Sequence, residues 1–595
     1  LLILSMAPAA WAVDFEVDLH GYYRLRMDYF SGLKYTRFTF DPSVNRFSGE
    51  VTQSGEPAYM DQRFRLDPTF RINERVSLYT QFDILGDTLF GNNGEDDFTF
   101  LSFESPTSSH GKNLFGEPNG EIPQIEATRV YGEARLSVGM LRFGRMPLSW
   151  GMGLLFHPGD GLDDNDGTTV DQIYYLTRPT SLWGNYATPF YIGGGYGNHR
   201  EGDIFVGSDD VKEWFVQIFH TNEDLHEQAQ RPFWQRRNEE NWIGLYFVNR
   251  WQNNESRSWQ QQTNEGRSYA IDFYFRRHLG PLFVSSEVFL WLGEADFVLD
   301  HPLFPGKKIL FDEVDFRQYN GALRAGWQSR TSDLFLEYGY ASPVSDTEFP
   351  PSLQEILSAQ PITNQGDPNE GNFIIAEPIY EKKHLNGGRF DRNYNVDLIV
   401  FEELLDLYTQ LTPTPTDDTN GGVYNAQYLR LFAQRKFYDK RLTLKGAMIF
   451  SWLNANHGFF WGARDRNGDG RIDLPTYQDV ITTDCSTEPN SEDCVNVVGP
   501  DGTPTQVKKV RFEIAQDENG LPELGDFVPV GNILGFEIDT DLAYHIRDGF
   551  TFGIETGLAI PGGFFDNLVA VTDPFDGEGV TFSKKILFTI QARFV

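Results

Sequence analysis

Residues 15–29 read FEVDLHGYYRLRMDY, and the two faces of this stretch decide the fold. The odd positions are Phe15, Val17, Leu19, Gly21, Tyr23, Leu25, Met27 and Tyr29, and the even ones Glu16, Asp18, His20, Tyr22, Arg24, Arg26 and Asp28. Successive side chains of a β-strand point to opposite sides, so the pattern predicts a strand that is apolar on one face and ionic on the other. A tilted strand needs about 9–11 residues to cross a bilayer, whereas strands of soluble sandwiches average about five or six. The length points to a membrane.

The pattern repeats along the chain. Phe64, Leu66, Pro68, Phe70 and Ile72 oppose Arg63, Arg65, Asp67 and Arg71, and after Asn73-Glu74-Arg75 it returns as Val76, Leu78, Phe82 and Ile84, which predicts a hairpin. Further strands fall at 130–136, 141–145, 269–276, 282–292, 319–328, 334–340, 423–435 and 442–452, and the chain closes with 532–546, 550–560 and 585–595. In the last of these Ile586, Phe588, Ile590, Ala592 and Phe594 form one face. This resembles the C-terminal signature read by barrel-assembly machinery, with the aromatic penultimate before Val595.

Short turns are predicted near Asn73, Ser137, His278, Ser329, Tyr438 and Arg547, and long Gly/Asn/Pro-rich or acidic loops elsewhere, an asymmetry expected of short periplasmic turns and long extracellular loops. With a periplasmic N-terminus, five strands precede Pro147 and nine follow Arg267, so an even number must lie between. Segments 171–178, 183–196, 211–220 and 242–251 make a transmembrane antiparallel β-barrel of 18 strands; two segments instead of four would make 16. Residues 13–595 then form one barrel with insertions near 342–422 and 454–531, and the apolar run NVDLIVFEELLDLY at 395–408 lies outside the wall. Such a run must be covered by protein, either folded into the pore or packed over its mouth.

Composition agrees. Aromatic residues make up 15% of the chain, with 26 Tyr and 50 Phe, and no run of about eighteen apolar residues would suit a membrane helix. A formal charge of −35, with 85 acids against 50 bases, excludes a nucleic-acid partner, which needs clustered Lys and Arg. Residues 1–12, LLILSMAPAAWA, end in a small-x-small pattern that predicts the remnant of a signal peptide and hence export to a bacterial outer membrane. There the expected partners are lipid and lipopolysaccharide.

If the apolar face meets lipid, the other lines a lumen. The lumen-lining set predicted from the early strands is Arg24, Arg26, Arg63, Arg65, Arg71, Arg129, Arg135 and Arg142, a basic arc; later strands contribute Glu537, Asp539, Asp541 and Glu555. Barrels of this size hold water, and separated bands of opposite charge would put a transverse field across it. Mutual ion pairing along the wall is the alternative.

Two further sites stand out. Asp465, Asn467, Asp469, the backbone carbonyl of Arg471, and Asp473 match a calcium-binding loop around Gly470, although Thr476 occupies the twelfth position where a bidentate acid normally sits. Calcium there would be structural. The two cysteines, Cys485 and Cys494, predict a loop disulfide in an oxidising compartment. A looser group, Asp160, Asp163, Asp164, Asp166 and Asp171, has irregular ligand spacing. No H-E-x-x-H, G-x-S-x-G or phosphate-cradling loop supports catalysis.

The stretch GRMPLSWGMGLLFHPGDGLDDNDGTTVDQI at 144–173, with RFDRNYNVDLIVFEELL at 389–405, resembles a family of outer-membrane barrel proteins from myxobacteria that share a GRMP…WGxG…GDGLD…TVD core. More distantly, Gly144-Arg145, Trp150-Gly151 and the FEELL run are similar to alginate-export-type porins, which implies passage of anionic polysaccharide. The leading expectation is a porin-like channel, passive or weakly selective for hydrophilic solutes, anionic ones included. A polysaccharide export pore and a non-transport surface scaffold with calcium-stiffened loops are the alternatives.

Overall fold

The computed structural model of the chain describes its wall strands and close connections (15–31, 58–91, 125–162, 164, 167–180, 189–200, 211–222, 241–253, 263–300, 308–344, 384–391, 393–405, 422–438, 440–455, 531–547, 550–565 and 587–594), with short strands in the remaining loops. The signal-like residues 1–12, the candidate calcium loop at 465–473 and Cys485 lie outside the described residues, while Cys494 begins a short strand, Cys494–Val498.

Eighteen antiparallel strands close into one ring. In chain order they are β1 (Glu16–Ser31), β2 (Ala58–Asn73), β3 (Val76–Gly91), β4 (Ile125–Leu136), β5 (Gly139–Pro147), β6 (Thr169–Thr177), β7 (Phe190–Arg200), β8 (Val211–Thr221) and β9 (Trp242–Asn253). They continue as β10 (Thr263–Leu279), β11 (Leu282–Asp300), β12 (Lys308–Gln328), β13 (Ser332–Ala341), β14 (Ala426–Phe437), β15 (Leu442–Leu453), β16 (Ile533–Arg547), β17 (Phe550–Pro561) and β18 (Leu587–Phe594). Each pairs with its sequence neighbours, and β18 pairs with β1 in the register Leu25↔Phe594 to Ser31↔Phe588. Closure satisfies every edge, which is the condition for a sheet to stand in hydrocarbon.

The alternation of β1 carries over into exposure. Val17, Leu19, Tyr23 and Met27 stand out from the barrel, Leu19 at 66% exposure, while Arg24, Arg26 and Asp28 are buried. The same holds for Ile243 and Leu245 on β9, Ile271 and Phe273 on β10, and Leu429 and Leu431 on β14, all exposed next to buried polar partners such as Asn249 and Asp272. A fold that exposes its leucines and buries its arginines has its oily solvent outside.

The four strands expected between Pro147 and Arg267 are present, with one shift: the segment placed at 183–196 begins only at Phe190. Gly193, Gly194, Gly195 and Gly197 supply the backbone of that strand, where an added Cβ on Gly195 would meet the Ile173 carbonyl at 2.5 Å. The turn rule is also less strict than the sequence suggested. The connections at 178–189 and 222–241 lie on the short-turn end, although they are long.

Candidate functional site

Two of the connections do not stay outside. The first, 148–168, follows β5 and folds into the barrel, where it is held by side chains from far along the wall. Gly151 and Gly153 both take positive φ (59° and 91°), a conformation that glycine adopts freely, and so turn successive N–H groups to one side. The carboxylate of Glu287, on β11 and fully buried, accepts all of them: Gly153 N at 3.0 Å, Leu154 N at 3.0 Å and Leu155 N at 3.3 Å, with Met152 N closer still. An added Cβ on Gly151 would meet Glu287 Oε2 at 2.3 Å, so a side chain there and this carboxylate exclude each other.

The rest of the first segment is anchored by its carbonyls. Arg24 Nη1 donates to Leu162 O at 2.6 Å, Arg63 Nη1 to Asp164 O at 2.5 Å and Arg65 Nη1 to Gly159 O at 3.1 Å, while Arg129 donates to Pro158 O and to the Asp160 carboxylate. Around Glu287 the contacts turn apolar: Trp150 sits 5.1 Å from Trp242 and 5.3 Å from Tyr246, ring centre to ring centre, and Phe156 packs edge-on to Tyr246.

The second in-folded segment, 384–405, comes from the long insertion between β13 and β14. Its apolar run enters the barrel rather than capping the mouth, because its backbone bonds to inward carboxylates of the wall: Leu398 N and Val400 N donate to the two oxygens of Glu537 at 2.9 and 3.0 Å. Tyr394 Oη donates to Glu337 Oε1 at 3.0 Å, which also accepts Tyr428 Oη at 2.6 Å, and Arg324 holds the other oxygen of Glu337 at 2.5 Å. Asp397 accepts Phe401 N, at 3.1 Å, at the start of the single π-helical turn Val400–Leu405. Burial, with Glu537 as the second cause, pushes the Asp397 carboxyl well above the usual carboxylate range.

Asp391 joins the two segments. Its N–H donates to Leu154 O at 2.7 Å, and its carboxylate accepts His157 N at 3.2 Å and Thr168 Oγ1 at 2.9 Å. Together they form a partition running from the β1–β4 wall, through Asp391, to Glu337 on β13 and Glu537 on β16.

The side chains picked out from the sequence fall into three groups. Arg24, Arg63 and Arg129 bind the first segment, and Arg65 does so while also gripping Asp83 at 2.6 and 2.7 Å. Arg135 and Arg142 share Glu133, each at 2.9 Å; Arg71 meets Asp18 at 2.6 Å and Glu16 at 3.2 Å; and Arg26 Nε lies 3.3 Å from Asp28. Glu537 binds the second segment, Asp541 pairs with Lys445 at 2.5 Å, and Asp539 and Glu555 face the cavity described next. Of the looser acidic group, Asp160 pairs with Arg129 and Asp171 with Arg145, Asp164 accepts Gly161 N, and Asp163 and Asp166 lie outside the described residues. Among the described residues no three His, Cys, Asp or Glu side chains are placed to hold a metal.

A cavity of about 380 Å³ remains between the second segment and strands β12 and β14 to β17. Arg324, Arg430 and Lys445 line it from β12, β14 and β15, and Asp539, Asp541 and Glu555 from β16 and β17. Tyr394 and Asp397 of the second segment, with His157 of the first, complete it. It is a polar space bordered by both signs of charge.

The sequence alone identified the inward face but not the role of its members as a socket. Glu287 and Glu337 read as ordinary inward positions of alternating wall strands, and the paired glycines of Trp150-Gly-Met-Gly153 are a local sign that something must receive several N–H groups at once.

No protein-family model matches the chain, and no curated protein matches it. In structure it is similar to a BenF-like porin from Pseudomonas fluorescens Pf-5, at 9% identity over 97% of this chain and 99% of that one, with a TM-score of 0.36. It is also similar to Pseudomonas aeruginosa OccK2 (OpdF) in complex with glucuronate, at 9% identity, 96% and 97% coverage and a TM-score of 0.34. A third is Pseudomonas aeruginosa OpdQ, at 8% identity, 97% coverage of both chains and a TM-score of 0.35.

Proposed function

We propose that the protein is an outer-membrane channel for small hydrophilic solutes, its lumen narrowed by the two in-folded segments, with both termini on the periplasmic side. The observation that carries this reading is the closed ring of eighteen strands whose charged inner face surrounds a polar cavity left free beside the partition. A barrel of this strand number encloses room for water. The basic arc supports no strong anion preference, because Arg24, Arg63, Arg65 and Arg129 spend their donors on the first segment, and the cavity carries both signs of charge. Selectivity is therefore weak. Calcium bound by Asp465, Asn467, Asp469, the Arg471 carbonyl and Asp473 would stiffen an outer loop without entering the pore.

Planar-bilayer recording of the purified protein tests the channel reading: discrete conductance steps support it, and a silent bilayer with folded protein removes it. A closed surface scaffold is the second reading, favoured by the hydrogen bonds that tie both segments to the wall. That reading predicts no steps, together with capture of a partner at the outer loops.

A further inference from the structure

Many charged groups inside the barrel hold the in-folded segments or one another, and a set of basic side chains at the short-turn rim does neither. Arg75, Arg277, Arg330, Arg435, Lys440 and Arg441 are exposed at or beside the tight turns that end β2, β10, β12 and β14. None of them has a carboxylate partner among the described residues. The chain as a whole carries −35, so an exposed basic band runs against its composition.

Strand parity says where two of these point. On β10 the outward positions are Ile271 and Phe273, both exposed, and counting on by twos passes Phe275 and reaches Arg277. On β14 the same count runs Leu429, Leu431, Ala433, Arg435. Both guanidinium groups therefore leave the barrel on its lipid face at the turn ends of their strands, Arg277 between Phe275 and the exposed Leu279 and Arg435 paired with the exposed Leu444, at the edge where the oily belt gives way to headgroups. Tyr438, 76% exposed in the turn after β14, sits in the same collar, as aromatic side chains do at a membrane interface.

We propose that this rim is a docking collar for anionic phospholipid headgroups, with Arg277 and Arg435 as its lipid-facing members. Arginine presents a planar fork of donors that matches a phosphate, and its aliphatic stem can lie along the belt while the charge reaches the headgroup. A diffusing polyanion would have to approach a strongly negative molecule, whereas the bilayer itself holds headgroups against the rim. The collar depends on the barrel alone and stands whether or not the lumen conducts.

The experiment uses the full chain in detergent doped with phosphatidylglycerol or phosphatidylcholine, with retained lipid counted by native mass spectrometry. Phosphatidylglycerol should be retained in preference, and the double variant Arg277→Gln/Arg435→Gln should bind it more weakly by about fivefold per neutralised position. Heat-modifiable migration on a gel confirms that the variant is folded. For the unaltered protein, raising salt from about 0.05 to 0.5 M should strip the preference by screening. Equal retention of the two lipids, a preference indifferent to salt, or a folded double variant that retains phosphatidylglycerol undiminished would each overturn the proposal. So would preferential capture of cell-wall fragments over phosphatidylglycerol.

Discussion

The two segments that enter the barrel are fastened by different chemistry. The first, 148–168, is held from both ends of the charge scale: four arginines donate to its carbonyls or to Asp160, and Glu287 accepts its N–H groups. The second, 384–405, meets the wall through Leu398 N, Val400 N and the Tyr394 hydroxyl, which donate to the carboxylates of Glu537 and Glu337, while Arg324 donates to the Tyr394 oxygen at 3.3 Å. Guanidinium stays charged at any accessible pH and carboxylates do not. The first segment therefore keeps its arginine grips whatever happens at Glu287, while the hold on the second depends more fully on protonation.

The largest effect is expected at Glu287. Replacing it by Ala leaves three buried N–H groups and the part-buried one of Met152 without an acceptor, a loss of at least about 3 kcal/mol, read as a fall in the urea midpoint of the folded barrel. A variant as stable as the parent would mean that the first segment is not seated on this carboxylate. At Glu537, Gln keeps one acceptor and loses the other, so about 1–3 kcal/mol is expected, with larger single-channel conductance as the second segment loosens. Unchanged conductance in a stable variant would detach the second segment from control of the pore.

Acidity separates the two segments next. Asp397 has its pKa raised by burial, with Glu537 and then Glu402 adding repulsion from nearby, so the folded state favours its protonated form. The sign follows: docking is fully favourable below the ordinary carboxylate range, about pH 4, and weakens as pH rises through the elevated pKa of Asp397. Conductance should increase with pH over that window, and Asp397→Asn should flatten the increase; a profile with the opposite slope breaks the contrast. The smallest effect is expected for Arg63→Gln, which loses the charged hydrogen bonds of its guanidinium, those to the Asp164 carbonyl and Tyr22 Oη among them, about 1–2 kcal/mol, with no change in the pH profile.

The inner and outer faces, the strand number and most of the tight turns were legible because a β-strand has a period of two residues and a bilayer sets its length. Phe15 to Tyr29 needs no partner to reveal which side is greasy. Several strands run longer than their alternation showed, such as Lys308–Gln328 against 319–328, and the late start at Phe190 came from a glycine-rich strand in which missing side chains leave little pattern to read. The candidate site was less legible. Arg24, Arg63, Arg65 and Arg129 were recognisable as inward, but a charged position facing water and one gripping a carbonyl look alike in sequence.

What the chain determined by itself was therefore everything that rests on local alternation: the barrel, its lipid-facing belt and the candidate lumen residues. What only the tertiary structure decided was what those residues hold. Glu287 meets Met152 across 135 positions and Glu537 meets Leu398 across 139. Contacts that distant arise from how the ring closes and which connections fall inside it, and no periodicity along the chain encodes them.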